Sequence, residues 1–404
     1  MRKTLLVLSC FGMMATTVLA GGYQVRLQGA RQTGMGLIGT PLAFGSSSIF
    51  YNPGAMGFSK SRFDFTVGGS AIISRMSFQS INSDYTAKTD NPVSPPFFAY
   101  GQAKITDRLT AGIGVYTPYG SKSVWPDDWK GRYLIQNISL QAIYIQPTVS
   151  YKVTDWLGFG AGLVYVHGKV ELEKGVPYNE GSKANLKGSA NNLGFNVGVF
   201  ARPTEKLSIG IDYRSHVDAK VEGGDATFTI PAGVSSLIPA TNKFDASLPL
   251  PANLDIGIAY QVTDKLLLAV EFDYVFWGKY DSISFTFAQS GNILSSVNPR
   301  MYSDRLIPRI GAEYSLNDKL QFRLGAYYDQ TPTSEDYFNP ETVSLNTIAV
   351  SCGVTYKPIE NLRIDFSYLQ LHGLESERAY LPANFTGKYR SFTAIPGIGI
   401  NYSF

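Results

Sequence analysis

The stretch Ala259-Tyr-Gln-Val-Thr-Asp-Lys-Leu-Leu-Leu-Ala-Val-Glu-Phe-Asp-Tyr-Val-Phe-Trp277 decides the fold of this chain. A strand ends at Val262, a polar turn reverses the chain, and a second strand leaves from Leu266. Along the second strand apolar residues alternate with a face that holds Glu271 and Asp273, and a period of two is the period of a β-strand. A soluble sheet buries its apolar face, whereas a membrane barrel turns that face outward to lipid and keeps polar residues toward the lumen.

The same turn recurs along the whole chain. An acid followed two residues later by Leu occurs at Asp107, Asp155, Glu205, Asp264, Asp318 and Glu360. One row of tyrosines precedes these turns, at Tyr151, Tyr260, Tyr314 and Tyr356, and a second row follows them, at Tyr165, Tyr213, Tyr274, Tyr328 and Tyr368. Aromatic rows that bracket an apolar band are typical of chains that cross both interfaces of a membrane. The repeat therefore predicts a series of membrane-spanning hairpins.

Counting outward from the six turns predicts 14 strands, an even number that closes antiparallel. The predicted ranges are 62–76, 96–104, 109–117, 139–153, 157–167, 192–201, 207–215, 252–262, 266–277, 306–316, 320–330, 343–357, 362–371 and 391–404. The connections at the opposite end are long and are predicted as extracellular loops. The sequence thus predicts an all-β fold, a 14-stranded antiparallel transmembrane barrel over residues 61–404.

The first 20 residues predict a secretory signal peptide. Residues 1–20 have a basic start, an apolar run and small residues before Gly21, which is the pattern of a signal cleaved after Ala20. A lipoprotein signal that uses Cys10 is the alternative. Removal of Arg2 and Lys3 lowers the formal charge from +3 to +1, and no basic patch suggests nucleic acid. Cys352 is then the only cysteine, so no internal disulfide can form.

Residues 21–60 do not alternate, and we predict that they form a plug, or hatch, inside the barrel. The segment is rich in glycine and serine and ends in a Tyr51-Asn-Pro-Gly-Ala-Met56 motif. Within it, Gly34-Met-Gly-Leu-Ile-Gly39 matches the spacing of a dinucleotide-binding loop. That motif requires a buried strand before it, a helix after it and an acid about 20 residues on. None of these is present, so we interpret the glycines as close backbone packing in the plug.

No enzyme chemistry, metal site or cofactor is predicted. The three histidines, His167, His216 and His372, have no cysteine or acid at metal-ligand spacing. Charged residues on the inward faces of the strands predict a network of ion pairs in the lumen. They are Asp212, Asp255, Glu271, Asp273, Arg309, Glu313, Arg323, Arg363 and Asp365.

The strand that starts at Leu109 carries glycines and then a break. Gly112 and Gly114 share one face, and Pro118-Tyr-Gly120 interrupts the pattern. Glycine and proline within a strand mark a bend or a close approach of backbone. A bent wall strand could open a sideways route through the barrel. The alternative is that the strand simply ends at the rim.

Several motifs together resemble the outer-membrane long-chain fatty-acid transport family, whose relatives include toluene and xylene channels. The matching pieces are Gly22-Tyr-Gln24, Tyr51-Asn-Pro-Gly-Ala-Met56, Pro118-Tyr-Gly120, Trp125-Pro-Asp-Asp-Trp129, Gly131-Arg-Tyr133, Pro147-Thr-Val-Ser-Tyr-Lys-Val153, Leu248-Pro-Leu-Pro251, Phe276-Trp-Gly278 and Tyr328-Asp-Gln-Thr-Pro332. The resemblance implies a barrel with an N-terminal hatch. Outer loops would capture a hydrophobic ligand, which would leave sideways at a kink in the third strand.

The resemblance also implies roles for particular residues. The hatch motif maps to Asn52, Pro53 and Gly54, where the family usually has Ala at the last position. The kinked strand maps to 109–117, with the opening near Gly112, Gly114, Pro118 and Gly120. The capture loops map to 168–190 and 216–251. The second loop holds six apolar residues expected to be exposed: Phe228, Ile230, Val234, Leu237, Ile238 and Phe244.

The expected function is passive uptake of hydrophobic compounds across the outer membrane of a Gram-negative bacterium by a monomer. Long-chain fatty acids are the expected ligand, and the outer face of the barrel is expected to contact outer-membrane lipid. Each CH₂ moved into water costs about 0.8 kcal/mol, so such a ligand needs an apolar path. Three alternatives stay open: a channel for aromatic hydrocarbons with the same mechanism, a surface receptor or adhesin without transport, and a membrane-embedded lipid hydrolase. The hydrolase would need a Ser and a His together on the outer wall, which no strand pair shows.

Overall fold

The computed structural model describes residues 22–404 apart from 180, 232 and 234–236. The predicted signal peptide and Val234 lie outside the described residues. Within the described part, no helix is long and apolar enough to cross a membrane. The three α-helices are a single turn each: α1 (Ala30–Thr33), α2 (Ser48–Tyr51) and α3 (Gly291–Leu294).

Strands make up most of the described chain. They are β1 (Phe63–Ser70), β2 (Ile73–Ser80), β3 (Thr86–Lys88), β4 (Phe97–Lys104), β5 (Leu109–Val124), β6 (Asn137–Lys152), β7 (Leu157–Gly175), β8 (Lys183–Ala201), β9 (Leu207–Arg214), β10 (Val217–Thr229), β11 (Thr241–Leu250), β12 (Asn253–Thr263), β13 (Leu266–Val275), β14 (Ser282–Phe287), β15 (Ser296–Pro299), β16 (Arg305–Ser315), β17 (Leu320–Asp329), β18 (Thr347–Ile359), β19 (Leu362–Tyr380) and β20 (Phe385–Ser403).

Fourteen of these strands form a closed antiparallel barrel, which confirms the predicted fold class. Around the wall the order is β1, β4, β5, β6, β7, β8, β9, β12, β13, β16, β17, β18, β19 and β20. Pairing of β20 with β1 closes the ring, with Val67 opposite Ile400. Because the sheet closes on itself, neither β1 nor β20 is left as a free edge strand. The other six strands extend it at the end opposite the short turns. We call these strands, with the upper ends of β5 to β8, the extracellular sheet, after the predicted orientation.

The apolar residues face outward, as the alternation in the opening stretch predicts. On β13 the side chains of Leu268, Val270 and Phe272 are exposed, whereas Glu271 and Asp273, which alternate with them, are buried. This reverses the pattern of a soluble sheet, because the exposed face of a membrane barrel meets lipid rather than water. The first row of tyrosines is likewise exposed, at Tyr151, Tyr260, Tyr314 and Tyr356.

Several predicted loops are in fact continuous sheet. The range 168–190 consists mainly of the upper halves of β7 and β8, which stay paired up to Gly175 and Lys183. The range 216–251 consists mainly of the hairpin β10–β11. These strands were missed because beyond the membrane their outward residues no longer need to be apolar. Without lipid on one face, the alternation that identifies a membrane strand disappears.

The N-terminal segment lies inside the barrel, as predicted for a plug. From Tyr23 to Gly57 most of its side chains are buried. It contains α1, α2 and a 3-10 turn at Pro53–Phe58, and α1 contacts β18, β19 and β20 of the wall. The compact backbone explains the glycines: Gly36 has φ of +73°, which L side chains rarely adopt. No dinucleotide-type strand precedes this segment in the described chain.

Candidate functional site

Buried ion pairs fix the plug to the wall. The Arg26 guanidinium of the plug lies 2.8 Å from the Asp255 carboxylate and 3.1 Å from that of Asp273. Arg309 on β16 contacts Asp273 at 2.6 Å and Glu271 at 2.9 Å. All five side chains are buried, so these contacts lie in a low-dielectric interior where unpaired charges are costly. The predicted lumen network is therefore present, and a plug residue is part of it.

Two further contacts hold the plug from other sides. Glu271 Oε2 accepts hydrogen bonds from the backbone N–H groups of Gly39, at 3.0 Å, and Thr40, at 2.9 Å. Arg31 of the plug makes an ion pair of 2.6 Å with Glu313. Glu313 in turn lies 2.6 Å from Arg323 of the wall. The middle of the plug is thus bound to the wall through side chains that satisfy one another.

The hatch motif lies at the junction of plug and wall. Asn52 Nδ2 donates to the carbonyl oxygens of Thr40, at 2.9 Å, and Val199 on β8, at 3.0 Å. Its Oδ1 accepts from Gly54 N–H at 3.0 Å, which caps the turn that begins at Pro53. A Cβ at Gly54 would lie 2.8 Å from the Gly198 carbonyl oxygen. In this chain the wall backbone therefore comes too close for the alanine that the family usually carries.

The predicted kink takes the form of a bulge. The sequence predicted that β5 ends at Thr117, but the strand runs through Pro118 to Val124. Tyr116 pairs with Tyr144 and Tyr119 with Ala142, so β5 has one residue more than β6 between these pairs. Such a bulge bends a strand and increases its twist.

The four residues predicted for the opening do not lie together. A Cβ at Gly112 would be 2.9 Å from the plug residue Ile49, and one at Gly114 would be 2.7 Å from the Tyr100 ring. These two glycines permit close packing below the bulge. Pro118 lies in the bulge, and Gly120 lies just above it.

Beyond the bulge, β5 loses its neighbour in the wall. Its pairing with β4 ends at Phe98 and Tyr116. The start of the plug pairs with β5 in place of β4. Val25 N–H donates to the Pro118 carbonyl at 2.7 Å, and Gly120 N–H donates to the Tyr23 carbonyl at 3.1 Å. The plug therefore pairs with the wall strand at the place where the wall is incomplete.

A cavity of about 500 Å³ occupies this gap. We call it the lateral cavity. Its lining includes the start of the plug, the segment 91–96 that precedes β4, and residues of β5 between Thr117 and Lys122. It also extends across the lumen to the opposite wall, where Arg309, Asp329 and Ile395 line it. The lining also includes Val93 and Gln141, and both residues are exposed. The lateral cavity therefore reaches an exposed surface beside β5.

Two smaller cavities of about 50 Å³ each lie above it, and we call them the upper cavities. Their linings are mostly apolar. The two share Tyr23, Leu140, Val170, Ala219, Val221 and Leu248. One of them shares Tyr119, Gly120, Leu140 and Gln141 with the lateral cavity. The three cavities are therefore neighbours in series, from the extracellular sheet to the gap in the wall.

The predicted capture residues are placed differently from the expectation. Phe228, Ile238 and Phe244 are buried, and Ile230 is partly buried against the same cluster. Of the five capture residues that the structure describes, Leu237 alone is exposed, at 60%. The expectation of an exposed apolar loop is therefore wrong, because these residues face the interior of an extended sheet. Phe244 does line an upper cavity.

An aromatic cluster around Tyr23 was not predicted from the residues. The Tyr23 ring lies 5.0 Å from Trp277 and 6.0 Å from Tyr280, and Tyr302 lies 4.7 Å from Tyr280. The Tyr23 hydroxyl donates to the Pro249 carbonyl. Burial raises the pKa of the Tyr280 and Tyr302 phenols, so both are neutral at physiological pH. The only sequence signal was that Tyr23 and Trp277 fall in segments matching the family.

The histidines lie apart from this path. His216 Nε2 is 2.8 Å from an Asp218 carboxylate oxygen, and His167 Nδ1 is 2.8 Å from Asn191 Oδ1. Among residues 22–404, outside the five that are not described, no group of three His, Cys, Asp or Glu side chains could hold a metal ion.

The family described as "Outer membrane protein transport protein (OMPP1/FadL/TodX)" matches residues 11–404. Outer membrane protein P1 of Haemophilus influenzae is 27% identical, and the match covers 90% of each chain. The long-chain fatty acid transport protein of Escherichia coli is 22% identical over 67% of this chain and 68% of its own length. The crystal structure of a Pseudomonas aeruginosa FadL homologue superposes with a TM-score of 0.80 at 19% identity, over 95% of this chain and 100% of that one.

Proposed function

The chain belongs to the OMPP1/FadL/TodX family of outer membrane transport proteins, and we propose that it carries long-chain fatty acids through the cavities described above. The family places it in the outer membrane of a Gram-negative bacterium as a channel for hydrophobic compounds. The choice of fatty acids, the route and the passive mechanism are parts of the proposal.

The series of three cavities is the observation that supports this function best. A water-filled pore rejects a hydrocarbon chain, because each CH₂ exposed to water costs about 0.8 kcal/mol. The upper cavities are lined mostly by apolar side chains such as Leu172, Leu186 and Phe285. One of them borders the lateral cavity, which on this proposal opens to the outside of the wall. A ligand on this route moves from apolar surface to lipid without crossing the polar plug.

The ligand first meets the upper cavities, between the extracellular strands. It then passes Tyr23, which borders both upper cavities, while its neighbours Gly22 and Gln24 border the lateral cavity. Passage requires the start of the plug to move, because it pairs with β5 at Pro118 and Gly120. That pairing consists of two backbone hydrogen bonds, each worth about 1 kcal/mol net. The hydrogen bonds from the Tyr23 hydroxyl to Pro249 and from the Gln24 amide to Asn253 must break as well.

The rest of the plug stays in place during this movement. Its anchors are the buried ion pairs of Arg26 and Arg31 and the contacts with Glu271. Breaking one such pair leaves an uncompensated charge in the interior and costs about 3–5 kcal/mol. The difference between the two sets of contacts confines the rearrangement to the first residues of the plug. No energy source is needed, because the ligand moves from water to lipid.

Uptake by cells that lack their own transporter tests this function. Cells that express this barrel are expected to accumulate labelled oleate well above cells with an empty plasmid. Toluene uptake without oleate uptake would move the ligand to aromatic hydrocarbons and keep the route. Uptake of neither compound, with the barrel inserted and folded, would contradict transport and favour a receptor or adhesin.

A further inference from the structure

A row of alternating charges runs across the outer face of the extracellular sheet. Cross-strand partners in this row succeed one another over six strands: Lys122, Ser139, Glu171, Lys187, Asp225 and Lys243. Lys187 lies 2.6 Å from Glu171, and Lys243 lies 2.6 Å from Asp225. Every charged residue of the row except Lys122 thus stands beside an opposite charge.

Lys122 ends this row at the lateral cavity, whose lining it joins. Its Nζ lies 3.0 Å from the neutral Asn137 Oδ1. No carboxylate of the described residues is within ion-pair distance of it. The two arginines that line the same cavity, Arg26 and Arg309, each bind two carboxylates. Of the three cations that line the cavity, Lys122 is therefore the one without a carboxylate partner among the described residues.

A second hydrogen-bond donor lines the same cavity. Asn91 is only 6% exposed and lines the same cavity. Its Oδ1 accepts from Val124 N–H at 2.8 Å, and its Nδ2 has no partner among the described residues. A buried donor without a partner costs about 1–3 kcal/mol. Val124 is two residues from Lys122 on the same strand, about 7 Å at the usual rise. The cross-strand partner of Val124 is Asn137, to which the Lys122 ammonium donates, so both donors bond to the same cross-strand pair.

We propose that Lys122 and Asn91 bind the oxyanion headgroup of an amphiphile whose hydrocarbon chain lies in the lateral cavity. An ammonium and an amide N–H both donate to a carboxylate or a phosphate, and charge-assisted hydrogen bonds are the stronger kind. The interaction gains further strength where lipid and protein exclude water. A neutral hydrocarbon cannot use either donor. The pair therefore selects anionic amphiphiles over neutral ones.

This inference rests on the proposed function only in taking the lateral cavity as a place where ligand resides. The same headgroup chemistry could come from two sources. One is the carboxylate of a fatty acid on its way to the membrane. The other is a phosphate of the surrounding outer-leaflet lipid. Binding to the purified barrel separates them, and it does not require that the barrel transports anything in cells.

The test compares two ligands with the same chain, labelled oleate and labelled oleyl alcohol, on the purified barrel in maltoside micelles free of lipopolysaccharide. The barrel is expected to bind oleate more tightly than the alcohol. Lys122→Gln is expected to weaken oleate binding about tenfold, since it removes the charge-assisted contact, and to leave alcohol binding unchanged. Lys187→Gln removes a charge from the same row away from the cavity, and should change neither. The heat-dependent mobility of each variant on a gel checks that it is folded.

Asn91→Asp tests the second donor. The substitution keeps the oxygen that accepts from Val124 and replaces the free donor by another acceptor, so it should weaken oleate binding at least as much as Lys122→Gln. Added lipid A that displaces oleate, but not oleyl alcohol, would show that outer-leaflet phosphate uses the same site. Failure to displace would assign the site to the cargo alone.

Two results would overturn the inference: no preference of the unsubstituted barrel for oleate over the alcohol, or equal effects of Lys122→Gln on both ligands. A barrel that binds oleate through Lys122 but does not carry it in cells would contradict the proposed transport and leave this site intact.

Discussion

At the scale of single residues, Glu271 joins wall and plug. Its carboxylate binds Arg309 and accepts from the backbone of Gly39 and Thr40, with no exposed surface. Glu271→Gln leaves Arg309 partly uncompensated in the interior. We expect the free energy of unfolding to fall by on the order of 3 kcal/mol, seen as a lower midpoint temperature for the gel-mobility shift of the barrel.

The matched control is Glu171→Gln, which breaks the outward ion pair with Lys187. Exposed pairs contribute little to stability, so its midpoint should equal that of the unsubstituted barrel. An equal shift in both variants, or none in either, would mean that the buried contacts do not hold the plug.

Asn52 gives a second prediction at this scale. Asn52→Ala removes the donor to the Thr40 and Val199 carbonyls and the cap on Gly54. Leaving such groups unpaired costs about 1–3 kcal/mol, and a displaced hatch should also lower oleate uptake. Asn191→Ala, on the exposed outer face of β8, serves as the control. Unchanged stability and uptake in Asn52→Ala would remove Asn52 from the hatch.

Residue types were more predictable than their partners. The inward charges follow from the alternation of the strands, so Glu271, Asp273 and Arg309 could be assigned to a lumen network from sequence. Their pairing with Arg26 could not, because the plug has no period from which to read which side chain meets the wall. The sequence shows that position 54 is a glycine, but it does not show that the Gly198 backbone leaves no room there for a Cβ.

At the scale of secondary structure, the bulge in β5 separates this strand from β4 and leaves the gap that the plug covers. Deleting Pro118 would give β5 and β6 equal numbers of residues between the Tyr116 and Tyr119 pairs. We expect a straighter strand, a smaller lateral cavity and a loss of most oleate uptake, measured in the transporter-deficient cells. Pro118→Ala keeps the extra residue, so it should retain uptake. Full uptake after the deletion would contradict a role for the bulge.

Strand positions within the membrane were predictable to within a few residues, as for β4, predicted at 96–104 and found at Phe97–Lys104. The upper ends were not: β5 was expected to end at Thr117 and β7 at His167. Lipid selects apolar outward residues only over the thickness of the membrane. Proline at position 118 suggested an end, but a bulge accommodates it within the strand.

At the scale of the whole molecule, the barrel could be predicted because one constraint, apolar outward and polar inward, acts on every membrane strand. The route through it could not. It depends on which residues of distant segments, such as Tyr23, Leu140 and Leu248, border a common space. The central claim at this scale is that the ligand leaves through the lateral cavity and not through the polar plug.

Blocking the lateral cavity tests this claim most directly. Ser121 lines the cavity, and Ser189 lies exposed on the outer face of β8. In a Cys352→Ser background, Ser121→Cys and Ser189→Cys are each labelled with a bulky maleimide, and oleate uptake is measured once a mass shift shows complete labelling. We predict that the label at position 121 reduces uptake to the level of cells without the barrel, while the label at position 189 leaves it unchanged. Full uptake with position 121 blocked would contradict sideways exit.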